Sequence, residues 1–449
     1  MYKPTSLRSL EQERHQMRLA APVLSGYLLR KEAWDRGTSS RQTVGNPPMV
    51  CQDPVVQNAL YTGNVKAVKE IFSKGFPSDL FIQPQGGAMR WSASGKGLWS
   101  LTYEQELTTP LHITAGRGFT ECLRHLLLRG ARVDLAPGGT TALHEACEEC
   151  QPDCVKLLLQ YGANPNATNE DGQMPLHVCT ELDSLECAKH LLAFDALING
   201  QSLDDSDTPL HVVARHGLPD HVELYLRHGA VLNLQNDDGN TPLNAACSQP
   251  QDCTSLERYS RVCHMLVDAG ADIHISDADK QTPLHMACKN TNPDVVALLL
   301  QYKALVNEMD YGGDAPMHNI LKVVAYKTDH EPERIVQALL NYGSIRVWPG
   351  ALPKVLKYCC TSPRTIEVLF NAYDRLKITE AWVEAVPPEV FQYIVFTQKH
   401  REFYESLFHL ARHRLRAFLE GRLHKVVPIL GLPTFLKNYL MLAFRDYIH

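Results

Sequence analysis

Apolar positions in this chain recur on two scales. Within short stretches they return every three or four residues, the period of one helix face. Over longer stretches the whole arrangement returns about every 33 residues. Seven tetrapeptides mark the long period, beginning at Thr109, Thr141, Met174, Thr208, Thr241, Thr282 and Ala315 and reading TPLH, TALH, MPLH, TPLH, TPLN, TPLH and APMH. Their intervals are 32, 33, 34, 33, 41 and 33 residues. Each opening reads as a helix start: Thr can cap, and Pro at the first helical position lacks an N–H that would be orphaned there anyway.

The rest of the unit follows the same logic. Three residues past the His position stands a small side chain (Ala115, Cys147, Ala214, Cys247, Cys288), which lets neighbouring helices approach closely. A second helix carries paired leucines such as Leu126–Leu127, Leu157–Leu158, Leu191–Leu192 and Leu298–Leu299. It ends in Gly-Ala at residues 130, 162, 229 and 270, where Gly supplies a left-handed cap. Asp171–Gly172 and Asp238–Gly239 suit the turn before the next Thr. A 33-residue period built on T-P-L-H resembles the ankyrin repeat, which implies an all-α solenoid. The fifth unit is longer by about eight residues, placed in the loop joining its helices. Residues 54–76 and 351–376 read as helix pairs without the tetrapeptide, the atypical ends that a stacked array needs. The expected organisation is an N-terminal arm over 1–53, a solenoid over 54–380 and a helical tail over 381–449.

Composition narrows the function. The chain has 449 residues, a net charge of −6 and 44% hydrophobic residues. So mild a balance argues against a nucleic-acid surface, which needs a clustered basic face. No apolar run reaches the roughly 18 to 20 residues of a membrane span; the apolar stretch Leu19–Leu29 reads as a packing or interaction segment. The 13 cysteines are scattered, several at one phase of the repeat, as small buried side chains in a reducing compartment. A cytoplasmic chain is expected, with the nucleus as a second compartment.

Catalysis lacks a candidate. No phosphate loop, nucleophile elbow, HExxH or kinase signature is present, and no cofactor is expected. The repeated His residues would be spaced along the stack, so they read as hydrogen-bonding residues and not as metal ligands. Cys147, Cys150 and Cys154 lack a second Cys pair or His cluster at zinc spacing. The turn regions are rich in acid, including Asp171, Asp205, Asp238, Asp279 and Asp310. Stacking would align these into a stripe attractive to a basic substrate protein; the plainer alternative is that Asp simply suits the turn.

After about residue 380 the period stops and the chain turns basic and helical. Phe403, Leu407, Ala411, Leu415 and Phe418 recur on one apolar face and Gly421 can end the helix. Val426 to Pro433 follows, then a second short helix from Thr434 to Leu442. Here the chain resembles the ankyrin repeat and SOCS box family. Segments Leu98–Leu107, Val347–Leu356 and Arg364–Leu369 look like one subgroup of it. The resemblance implies a substrate-receptor subunit of a cullin–RING ubiquitin ligase, not itself an enzyme, that holds an unidentified substrate on its repeats. It implies that Ser406 to Ala411 opens the box that docks on Elongin B/C. Leu407 is then the main contact, with Leu410, Ala411 and Leu415 beside it. It implies further that Leu430-Gly431-Leu432-Pro433 contacts cullin-5 with its RING partner. Ala411 stands where many members have Cys, Gly431 where they have Pro, and Phe403 to Phe408 leaves no spacer before the box. From periodicity alone the tail reads equally as a cap on the last repeat, making the chain an interaction scaffold without ligase recruitment.

Overall fold

From Pro54 onward the chain is laid out as successive pairs of short helices, as its two-scale period requires. A computed structural model describes residues 50–51, 53–82, 89–93, 99–103, 108–373, 388, 391–392, 406–419 and 421–443. The first pair is α1 (Pro54–Tyr61) and α2 (Val65–Ser73), followed by a hairpin of β1 (Met89–Ala93) and β2 (Trp99–Tyr103). The strands pair antiparallel with Met89 opposite Tyr103 and Ala93 opposite Trp99. Then come α3 (Pro110–Gly116), α4 (Thr120–Leu128), α5 (Ala142–Glu148), α6 (Pro152–Gln160), α7 (Leu185–Ala193), α8 (Pro209–Arg215) and α9 (Pro219–Arg227). The array continues through α10 (Pro242–Ser248), α11 (Leu256–Asp268), α12 (Pro283–Asn290), α13 (Pro293–Gln301), α14 (Pro316–Val323), α15 (Pro332–Asn341), α16 (Leu352–Tyr358) and α17 (Pro363–Asn371). Three tail helices follow: α18 (Ser406–Leu419), α19 (Leu423–Ile429) and α20 (Thr434–Leu440).

The tetrapeptide explains how one unit grips the next. Thr109 Oγ1 lies 2.7 Å from His112 Nδ1, and His112 Nε2 donates to the Thr140 carbonyl of the following unit at 2.9 Å. His144 reaches Gln173, His177 reaches Asp207, His211 reaches Asn240 and His285 reaches Glu308 in the same way, at 2.9 to 3.1 Å. A carbonyl can only accept, so Nε2 carries a proton, and in His144, His177, His211 and His285 Nδ1 accepts a backbone N–H, which makes those rings neutral. In the fifth unit Asn244 takes the place of His, and its Nδ2 donates to the Ile275 carbonyl at 3.1 Å. His318 is exposed, since no further turn region of this kind follows it.

Packing follows the small residues. Ala115, Cys147, Ala214, Cys247 and Cys288 are fully buried, and the first helices meet their neighbours there: α3 on α5, α8 on α10, α10 on α12, α12 on α14. One continuous apolar core runs from Cys51 to Leu442, each unit sharing its share with the next. The turn tips are stitched by backbone bonds, Leu203 to Gly172, Asp237 to Asp205, Ala278 to Asp238 and Tyr311 to Asp279.

Two local departures mark where propensity and caps decide. The third unit lacks its first helix, and residues after Met174 form a turn instead. Met174 offers no capping hydroxyl, and Val178 and Thr180 are poor helix formers, so the deficits add. The extra residues of the fifth unit run from Gln249 to Ser255, held by buried Gln251, which accepts from Asn292 Nδ2 at 2.7 Å.

Candidate functional site

The C-terminal helices pose a question that periodicity alone leaves open: which side of α18 faces the protein. Its inward side carries Arg412, His413, Arg416 and Leu419, all buried, with Leu415 half-buried beside them. Its outward side carries Ala411, Arg414, Ala417 and Phe418, the last 75% exposed. Of the apolar stripe expected from the sequence, Ala411 and Phe418 face solvent and Leu415 is half-buried, while the buried side carries Arg412 and Arg416. Leu407 and Leu410 lie in the first turn and a half of α18; their side chains, like Phe403, lie outside the described residues. At 3.6 residues per turn, positions 407 and 410 fall in the same arc as Ala411, Arg414 and Phe418.

Beyond α18 the chain folds on itself. Val426 to Ile429 completes α19, with Pro428 inside its last turn. Leu430 and Pro433 are extended, and the chain re-enters helix at Thr434. Leu419, Leu423, Val427 and Leu440 form a small separate core, with Leu415, Val426, Leu432 and Met441 packed against it. Leu415 thus serves this inner packing. Gly431 and Pro433 are exposed and Leu430 and Leu432 half-buried, while Ile429 (82%) and Phe435 (67%) stand in solvent. A Cβ at Gly431 would meet nothing within 4 Å.

This small unit is fastened to the last repeats by polar contacts. Arg416 donates to Asn341 Oδ1 at 2.9 Å, to the Leu340 carbonyl at 3.2 Å and to the Leu440 carbonyl. Its charge sits at the C-terminal ends of α15 and α20, where the aligned peptide dipoles favour a cation. Asn341 and Gln337 both donate to the Met441 carbonyl, at 2.8 and 3.0 Å. Arg412 donates to the Asn371 carbonyl at 2.9 Å and lies 4.2 Å from the centre of the Tyr439 ring. Tyr342 stacks on His424 with ring centres 3.6 Å apart. Gly421 has φ +54°, and a Cβ there would come within 2.8 Å of the Tyr342 carbonyl oxygen. Sequence reasoning missed these contacts; Arg412 and Arg416, four residues apart and so on one side of the helix, were the available signal.

The acidic candidates divide. Asp171, Asp205, Asp238 and Asp279 are exposed on the turn tips. Partial burial first, then Asp207, Asp204 and Asp238, raise the Asp205 carboxyl above the usual range, so the charges do gather. Asp310 is buried, and the expectation that it forms part of an exposed stripe fails. Its carboxylate accepts from the Asp314 N–H at 2.9 Å and from Gln281 Nε2 at 3.3 Å, so it shapes the turn. The cysteines are all free thiols. Burial raises Cys147 well above its ordinary value and Cys154 to about 12, which disfavours the thiolate a metal would need. Among the described residues no group of His, Cys, Asp and Glu could hold a metal, and no helix is long and apolar enough to cross a membrane.

Comparison with known proteins agrees with this layout. The family model for ankyrin repeats matches residues 59–169, 176–257 and 254–348, and that for the SOCS box matches 405–441. The chain is 40% identical over 421 residues to ankyrin repeat and SOCS box protein 16 of Homo sapiens, covering 92% of this chain and 90% of that protein. It is 48% identical over 375 residues to ankyrin repeat and SOCS box protein 10 of Homo sapiens, covering 80% of this chain and 79% of that one. Among solved structures, the crystal structure of the human ASB11 ankyrin repeat domain aligns with a TM-score of 0.44 at 27% identity, covering 52% of this chain and 97% of that one. With ankyrin repeats followed by a SOCS box, and with these relatives matched over most of its length, this chain belongs to the ankyrin repeat and SOCS box family.

Proposed function

We propose that this chain is the substrate-recognition subunit of an Elongin B/C–cullin-5–RING ubiquitin ligase, without catalytic chemistry of its own. The observation that carries the reading is the orientation of α18. Its buried side is satisfied by Arg416 and Leu419, while Ala411 and Phe418 face outward on the arc shared by positions 407 and 410. A plain capping helix would bury its apolar arc, whereas this one offers that arc to a groove on another protein. Burying one exposed Phe contributes about 1.5 to 3 kcal/mol, so a few such positions suffice for specific docking.

In this reading Leu407, Leu410 and Ala411 meet Elongin C, and Leu430 to Pro433 with exposed Ile429 meets cullin-5. The exposed Asp171, Asp205, Asp238 and Asp279 lie where a basic client would touch the turn tips. The receptor's contribution is proximity: a client lysine held beside a charged ubiquitin carrier reacts at high effective concentration, marking the client for degradation. The setting is the cytoplasm. The test is capture of purified Elongin B/C by the full chain, with Leu407→Asp and Phe418→Asp as comparisons. Wild type should retain the pair and both variants should lose it. A wild-type chain that retains no Elongin leaves only an interaction scaffold.

A further inference from the structure

The last repeats and the C-terminal helices do not close fully against each other. Between them lies an open cavity of about 480 Å³, within the size range of small-molecule sites. Arg346 and Arg416 line it together with Asn307, Tyr342, Ser344 and Gly421, and none of its described lining residues is acidic. Elsewhere in the array buried or bridging arginines face carboxylates: Arg215 pairs with Asp207, Arg261 with Asp220 and Arg334 with Asp294. Here the charge is left over. Arg416 is 7% exposed and all its acceptors are neutral oxygens, those of Asn341, Leu340 and Leu440. Arg346 is exposed and makes no hydrogen bond or ion pair with a described residue. Burial first, then the Arg412 and Arg346 charges, push Arg416 down to about 9, the mark of uncompensated positive charge in one place.

We propose that this cavity binds a small phosphate-bearing anion, with Arg346 as its free guanidinium fork and Arg416 supplying charge from the buried wall. Guanidinium matches phosphate oxygens with two parallel N–H donors, and Ser344 and Tyr342 are also among the lining residues. The occupant would touch both the last repeat, through Arg346 and Ser344, and the C-terminal unit, through Arg416 and Gly421. It would therefore tighten the joint between the part that holds a client and the part that faces the adaptor. From α18 the lining takes Arg416 and Ala417 but not Phe418, so the proposal stands apart from adaptor docking through Phe418.

The experiment is thermal unfolding of the full chain titrated with inorganic pyrophosphate or inositol hexakisphosphate, against sodium chloride at matched ionic strength. A saturable rise in Tm is expected with the phosphates and none with chloride. Arg346→Ala should not lower the ligand-free Tm, because the residue is exposed, unpaired and repelled by Arg416, and should weaken the apparent affinity about tenfold or more. Arg346→Lys should fall between, keeping the charge and losing the fork. No rise with either phosphate, an equal rise with chloride, or a rise indifferent to Arg346→Ala would each overturn the site. Capture of Elongin B/C by Arg346→Ala should match wild type, which separates failure here from failure of the ligase reading.

Discussion

Acid should dissolve the solenoid well before it protonates ordinary carboxylates, because the histidines that clamp unit to unit are neutral in the fold. Burial is the chief cause that lowers His112, His144, His177, His211 and His285, and it brings His112 and the separately buried His221 down to about 4 from 6.5. The folded-state value is depressed for a base, so the unfolded chain binds more protons between the two values. Stability from these groups is therefore fully present above about pH 6.5 and is lost as pH falls toward 4. At 1.36 kcal/mol per unit, a shift of this size corresponds to about 3 kcal/mol for His112 and as much again for His221. That pair alone removes a large fraction of the roughly 5 to 15 kcal/mol that holds a domain folded. The fifth unit supplies the control: Asn244 makes the same bridge, to the Ile275 carbonyl, without titrating. Urea midpoints followed by circular dichroism at pH 7, 6 and 5 should fall steeply for wild type. His112→Asn should flatten the fall by about 1.4 kcal/mol per pH unit below pH 6, the worth of one proton. Equal pH slopes for wild type and His112→Asn would refute the reasoning.

Other consequences follow from single residues. Gly421→Ala should loosen the C-terminal unit by forcing a Cβ against the Tyr342 carbonyl at an unfavourable φ, seen as faster amide exchange in 421–441 with the repeats unchanged. Gly162→Ala, at φ +88° with open space around it, should cost about 1 to 2 kcal/mol of stability through backbone conformation alone, read from the urea midpoint. Asp310→Ala should destabilise by about 1 to 3 kcal/mol because it orphans the Asp314 N–H, whereas Asp238→Ala should stay within about 0.5 kcal/mol; paired urea titrations distinguish them.

The repeat was legible because each of its letters answers a local need. Thr caps, Pro opens, a small residue lets helices meet, and Gly closes. What escaped was whatever depends on neighbours. Periodicity showed that α18 has an apolar face but not that Arg412 and Arg416 would turn inward, since their acceptors, Asn371, Leu340 and Asn341, lie 41 to 76 residues earlier. Asp310 read like its exposed equivalents at other turns; only the packed unit puts Gln281 within reach of its carboxylate. The third unit carried its tetrapeptide and still lost a helix, because a motif promises a start and the residues after it decide whether the helix continues. The β-hairpin before α3 went unread beside a helical period that dominates the chain.

The claim that most needs a direct test is that α18 turns its apolar arc outward to meet a separate machine. Amide hydrogen exchange of the full chain, with and without Elongin B/C, tests it at the level of segments. Protection on adding Elongin B/C should concentrate in 406–419, with the clamped units from Thr109 to Asn290 exchanging as before. Unchanged exchange across 406–419 at saturating Elongin, or protection confined to the repeats, would contradict the account.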